Sequence, residues 1–159
     1  MVSPSMSPEA QPVNLPAVMA LVDDVDGWMT PGQASTLFDA ARRCPAPGTI
    51  VEIGSFRGRS TIVLASAAAP DVRVIAIDPH AGNDRGPQEI DGFAAEAEDD
   101  HSVFNANLQR TGVAERVEHR RHDVHALDET LLDAAARRVG SGARVDDDEG
   151  RAVVLGEPA

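Results

Sequence analysis

The chain has 159 residues and a formal net charge of −12, and all 14 of its basic residues are arginine. This length suits one domain, or part of one, and a chain of this size buries roughly 70% of its unfolded surface, enough for a true core. The acidic excess argues against nucleic acid and against an anionic membrane as partners, since both select a basic face.

A single cysteine, Cys44, excludes an internal disulfide and cannot build a zinc site alone; it is expected to be a buried, idle thiol. The first twenty residues contain no Arg or Lys, and the apolar run "LPAVMALV" is too short to span a membrane. A soluble cytoplasmic protein is the expectation. Residues 1–13 are rich in Ser and Pro and read as disordered. The stretch "TPGQASTLFDAARRC" then carries a helix start: Thr30 caps, Pro31 suits the first position, and Gln33 completes a capping box. Ala34, Leu37, Phe38 and Ala41 follow as one apolar stripe, and Arg42 and Arg43 complement the helix C-terminus.

"TIVEIG" (49–54) reads as an apolar strand, "STIVLASAAA" (60–69) as a helix, and "VRVIAID" (72–78) as a second strand. The β-branched Ile62 and Val63 argue against the helix, but the alanines that follow and the need for a crossover favour it. Two apolar strands joined through a helix predict a parallel sheet covered on both faces. Residues 79–93 read as a loop. "DDHSVFNANLQRTG" reads as a helix capped by Asp99 or Asp100 and closed by Gly112. "ERVEHRRHD" (115–123) is a charged strand suited to a sheet edge. A helix over 127–140, capped by Asp128, and an acidic tail complete the chain, with only "AVVL" in the tail resembling a strand.

The motif that carries chemistry is "TIVEIGSFRGRST", an E-x-G-x-x-x-G spacing where a strand hands over to a helix. In a doubly wound sheet, ligands settle outside the carboxyl ends of the strands. Glycines there permit a sharp turn and close approach, while the helix start offers unpaired N–H groups. Gly54 and Gly58 suit those tasks. A carboxylate at the next strand tip, roughly 20 residues on, is positioned for ribose hydroxyls, and Asp78 fills that place. A dinucleotide fingerprint needs a glycine where Phe56 stands, so an adenosine bearing an amino-acid tail fits better than a pyrophosphate. Glu52 is then placed to help hold the ammonium of that tail.

With "VIAIDPHAGNDRGPQEIDGF" and "NLQRTGVAERVEH", this motif resembles the class I S-adenosylmethionine-dependent methyltransferases, in the small-molecule O-methyltransferase-like branch, over about residues 27–128. The resemblance implies an α/β fold, a Rossmann-like parallel sheet with flanking helices. Here it is incomplete: strands one to three, with strand 3 at an edge, and a weak fourth. It implies S-adenosyl-L-methionine as cofactor and a small-molecule methyl acceptor. It assigns the cofactor loop to Glu52, Gly54 and Gly58, with Ser55 and Phe56 lining it, the ribose to Asp78, and the adenine end to Asp123.

Past Asp128 the resemblance stops, which reads as a shortened form. A disordered segment (1–13), a partial cofactor-binding unit (14–128) and a divergent helix with an acidic tail (129–159) are the expected divisions. The strand "TIVEIG" is then expected to leave one flank open to a partner strand or a second copy. A non-catalytic cofactor-binding fragment or interaction scaffold is the rival reading, and a short dehydrogenase the third. His119, His122 and His125 read as solvated edge histidines rather than metal ligands. His80 reads as structuring its loop, with a general base as the alternative.

Overall fold

A computed structural model describes residues 13–80, 97–121, 144–146 and 152–156. In chain order the elements are α1 (Leu15–Leu21), α2 (Pro31–Arg43), β1 (Gly48–Ile53), α3 (Arg59–Ala67), β2 (Val72–Ile77), α4 (Ala97–Arg110), a 3-10 turn (Ala114–Arg116), β3 (Val117–Arg120), β4 (Arg144–Asp146) and β5 (Ala152–Gly156). The sheet order is β3-β2-β1-β5-β4. β1 pairs parallel with β2, and β2 parallel with β3, so three parallel strands with flanking helices form as expected and β3 lies at an edge.

Helix α2 begins as its sequence dictates. Thr30 accepts from the Gln33 N–H, and the Gln33 side chain accepts from the Thr30 N–H at 2.7 Å. Its stripe buries Ala34, Phe38 and Ala41 in the core, and Cys44 is buried at its end. In α3, Ser60 through Ala65 are buried without interruption, so the helix is enclosed on all sides. Burial of Ile62 and Val63 outweighs the modest helix penalty of their branched side chains. On β1 the consecutive residues Ile50, Val51 and Glu52 are all buried, which means both faces of the sheet are covered there. One core joins Ile50, Val72, Val74 and Ala76 of the strands to Val18, Phe38, Leu64 and Phe104 of the helices.

Three expectations are corrected. The flank of "TIVEIG" is not open: β5 pairs antiparallel with β1, setting Glu52 opposite Val153, and β4 pairs antiparallel with β5. An apolar strand with unpaired backbone groups is a template for pairing, and an antiparallel partner needs no covering crossover helix. The sheet is therefore mixed. Secondly, α4 starts at Ala97, so Asp100 lies inside the helix instead of capping it, and its carboxylate accepts from Arg57 Nε at 2.9 Å. Thirdly, the charged strand is shortened to Val117–Arg120 because residues 114–116 wind into a 3-10 turn. Gly112 closes α4 as expected. It has φ +74°, donates to Gln109 O, and is followed by the Val113 N–H donating to Leu108 O, which together form a Schellman end. The expected disordered segment falls on residues 1–13, and only Val13 of it is described; the expected loop at 79–93 is described only for Pro79 and His80, and the helix at 127–140 lies outside the described residues.

Arg116 locks the crossover. Its guanidinium donates to the carbonyls of Ala65 in the last turn of α3, of Ala68 and Ala69 just after it, and of Val72 at the start of β2. Arg116→Ala is expected to cost about 2–3 kcal/mol, read as a lower urea midpoint. Arg116→Lys is not expected to restore it, because one ammonium cannot reproduce the planar fork.

Candidate functional site

The turn from β1 into α3 is built from left-handed residues. Gly54, Phe56 and Gly58 have φ of +82°, +44° and +90°. Gly54 donates to Ile77 O at 2.9 Å, tying the turn to the tip of β2. Gly58 sits at the N-cap of α3, where an added Cβ would stand 3.1 Å from the Phe104 ring, so both backbone and packing demand glycine. Because Gly58 brings no side chain, α3 has no side-chain cap, and its first-turn N–H groups face the turn with the positive end of the helix dipole.

Asp78 follows β2 and faces this turn. Its Oδ2 accepts from the Phe56 N–H at 2.8 Å and its Oδ1 from the His80 N–H at 2.8 Å. The strained φ of Phe56 thus has a visible result, an amide aimed at the carboxylate. Each carboxylate oxygen offers roughly two acceptor positions, so among the described residues one on each oxygen remains, and the side chain keeps 15% of its exposure.

Glu52 lies below the turn and is only 1% exposed. Its two oxygens accept from the hydroxyls of Ser60 and Thr61, side chains from the first turn of α3. It therefore anchors the helix start to β1. Ser55 is buried, and its Oγ has no hydrogen-bond partner among the described residues. A buried polar atom left without a partner beside an anion-favouring helix start fits a ligand group placed there.

Several contributors were not singled out from the sequence. Arg57 is anchored to Asp100 of α4 and to Asp26 ahead of α2, and its carbonyl accepts from Asn107 Nδ2 at 2.9 Å. The Asp100 contact joins groups only 14% and 8% exposed and outweighs the Asp26 contact, whose carboxylate is 68% exposed. Trp28 packs on Phe56 with ring centroids 5.1 Å apart, and Arg57 lies 5.3 Å over the other partner in that stack, Phe56. These contacts hold the turn from three directions. Short hydroxyl residues eight and nine positions after Glu52 were a readable signal for its partners. The Arg57 contacts cross 31 and 43 positions and were not.

Of the expected site residues, the fold gathers Glu52, Gly54, Ser55, Phe56, Gly58 and Asp78 around one turn, whereas Asp123 lies outside the described residues. His80 is buried and its N–H bonds Asp78, in keeping with the reading that it structures its loop; its side chain has no exposure, which does not favour the alternative of a general base. His119 is corrected as a solvated edge residue, since its ring packs on His80, His101 and Phe104. His122 and His125 lie outside the described residues. Among the described residues, no group of three or more His, Cys, Asp or Glu is arranged to hold a metal ion, and no helix is long and apolar enough to cross a membrane.

A family model described as a methyltransferase domain matches residues 51–146. Among solved structures, cofactor-bound Rv0187 from MTB is 27% identical with a TM-score of 0.44, matching 77% of this chain and 46% of its own. The O-methyltransferase TomG from Streptomyces achromogenes, involved in tomaymycin synthesis and solved with SAM, is 24% identical with a TM-score of 0.44, over 81% of this chain and 48% of its own. The chain thus spans about half the length of these two proteins.

Proposed function

The chain belongs to the methyltransferase-domain family, and on that footing we propose that it binds S-adenosylmethionine and supplies the cofactor side of a methyl transfer to a small-molecule acceptor. Residues 14–128 form the proposed cofactor unit, and from the remainder of the chain β4 and β5 join its sheet beside β1. The observation that carries this reading is the Asp78 carboxylate. Two main-chain amides fix its plane, one acceptor position is left on each oxygen among the described residues, and the pair suits two adjacent ribose hydroxyls.

The other residues take roles consistent with their geometry. The uncapped start of α3 receives the carboxylate of the amino-acid tail, with the Ser55 hydroxyl beside it. Glu52, too buried for direct contact, acts by its charge on the ammonium and by orienting Ser60 and Thr61. Phe56 lines the turn, and Asp123 keeps its proposed place at the adenine end. When bound, S-adenosylmethionine supplies the activated methyl group. The protein's part is to hold donor and acceptor in line, and such positioning supplies much of the acceleration in transfers of this kind.

Calorimetry of the full chain with S-adenosylhomocysteine tests the reading. Saturable binding at one site per chain supports it, and the absence of binding at millimolar ligand refutes it.

A further inference from the structure

Three histidines distant in sequence meet beside Asp78. His80 follows β2, His101 lies on α4, and His119 on β3. Ring centroids are 5.4 Å apart for His80 and His101, 4.7 Å for His80 and His119, and 5.0 Å for His101 and His119. Phe104 packs 5.1 Å from His80 and 4.8 Å from His119. Neither ring nitrogen of His80, nor Nε2 of His119, has a hydrogen-bond partner among the described residues. Both histidines also grip Asp78 through the main chain. The His80 N–H donates to its carboxylate at 2.8 Å, and the His119 ring is hydrogen-bonded to its backbone. His80 has φ +44°, a left-handed conformation that persists in a non-glycine residue only where the surroundings enforce it.

We propose that His80 and His119 are positioning residues for the Asp78 carboxylate, holding it while their rings are neutral and releasing it when acid charges and opens the cluster. This deepens the cofactor reading and rests on it for its ligand. The titratable and charged groups facing the two rings among the described residues are Asp78, His101 and Arg121, together with each ring's partner. Only Asp78 favours a charged imidazole, and its Oδ1 stands 3.9 Å from His80 Nδ1, beyond hydrogen-bond reach. Burial is the largest influence on His80 and pushes it from 6.5 down to about 4; burial also lowers His119.

The sign follows from these directions. The closed cluster resists protonation, whereas rings exposed by opening take up protons near their ordinary value. The closed form is therefore fully favoured above about pH 6.5 and loses ground as pH falls toward 4. If the cofactor binds the closed form alone, its apparent affinity follows that population.

The test is calorimetric affinity for S-adenosylhomocysteine in the full chain and in the double variant His80→Asn, His119→Gln. Asparagine tolerates the left-handed backbone, and glutamine retains a donor. From about pH 7 to about pH 5 the wild type is expected to weaken at least about fivefold, and the variant less than about twofold. An equal fall in both, or a flat wild type, overturns the proposal. Proton NMR of the imidazoles decides the cluster without any cofactor: His80 still neutral at about pH 5.5, with His119 titrating below the ordinary imidazole value, supports it, and both rings titrating near 6.5 overturn it. A wild type that binds no cofactor while its rings stay neutral contradicts the function reading and leaves the cluster standing.

Discussion

Asp78→Ala is expected to weaken binding of S-adenosylhomocysteine at least about 100-fold. A bond to a charged acceptor contributes about 1.5–3 kcal/mol, and two ribose hydroxyls are served, so the lower bound is about 3 kcal/mol. The substitution also strands the amides of Phe56 and His80, which now donate to the carboxylate. Asp78→Asn separates the two effects, because it keeps the shape and one carbonyl oxygen while removing the charge. It keeps one of the two main-chain bonds and sets its NH2 against the other amide, so the thermal midpoint is expected to fall less than in Asp78→Ala while most of the affinity is still lost. Calorimetry alongside thermal unfolding measures both. Binding by Asp78→Ala within about threefold of wild type would remove the ribose assignment.

The second large effect is expected at Glu52. Glu52→Ala leaves the buried hydroxyls of Ser60 and Thr61 without their acceptor and opens a gap between β1 and α3. Each stranded group costs about 1–3 kcal/mol, so a loss of about 3–4 kcal/mol is expected, near 10 °C in thermal midpoint for a chain of this size. Glu52→Gln fills the same space and its amide can still bond both hydroxyls, so a drop of only a few degrees is expected. Its affinity for the cofactor should nonetheless fall about tenfold, since the charge behind the ammonium is gone. Unchanged affinity in the glutamine variant would restrict Glu52 to anchoring the helix.

Local features of the fold were legible where neighbours in sequence decide them. The capping box of α2 needs only Thr30 and Gln33, the Schellman end of α4 only residues within one turn, and β1 and β2 are marked by unbroken apolar runs. The edge position of β3 followed from its charges. The antiparallel pairing of β5 with β1 was not legible, because "AVVL" gains its meaning only from an apolar strand a hundred positions earlier that presents unpaired backbone. The start of α4 was misjudged for a similar reason. Asp99 and Asp100 have the chemistry of caps, but Arg57 claims the Asp100 carboxylate across 43 positions.

The candidate site divides in the same way. Gly54, Gly58 and Asp78 are visible as a spacing, and the strained turn explains why glycine occupies two of its positions. The histidine cluster has no spacing to read. It exists because the end of β2, α4 and β3 converge around Phe104, whereas the charged sequence around His119 reads as a solvated sheet edge.

The central claim, that the carboxylate of Asp78 and the turn facing it form the cofactor site, is tested most directly by an amide nitrogen–proton correlation spectrum of the full chain titrated with S-adenosylhomocysteine. The amides of Phe56 and His80, both bonded to Asp78, are expected to shift together and saturate with one dissociation constant, with Ser55 following them. Saturable shifts confined to other residues, or none at all, would contradict it.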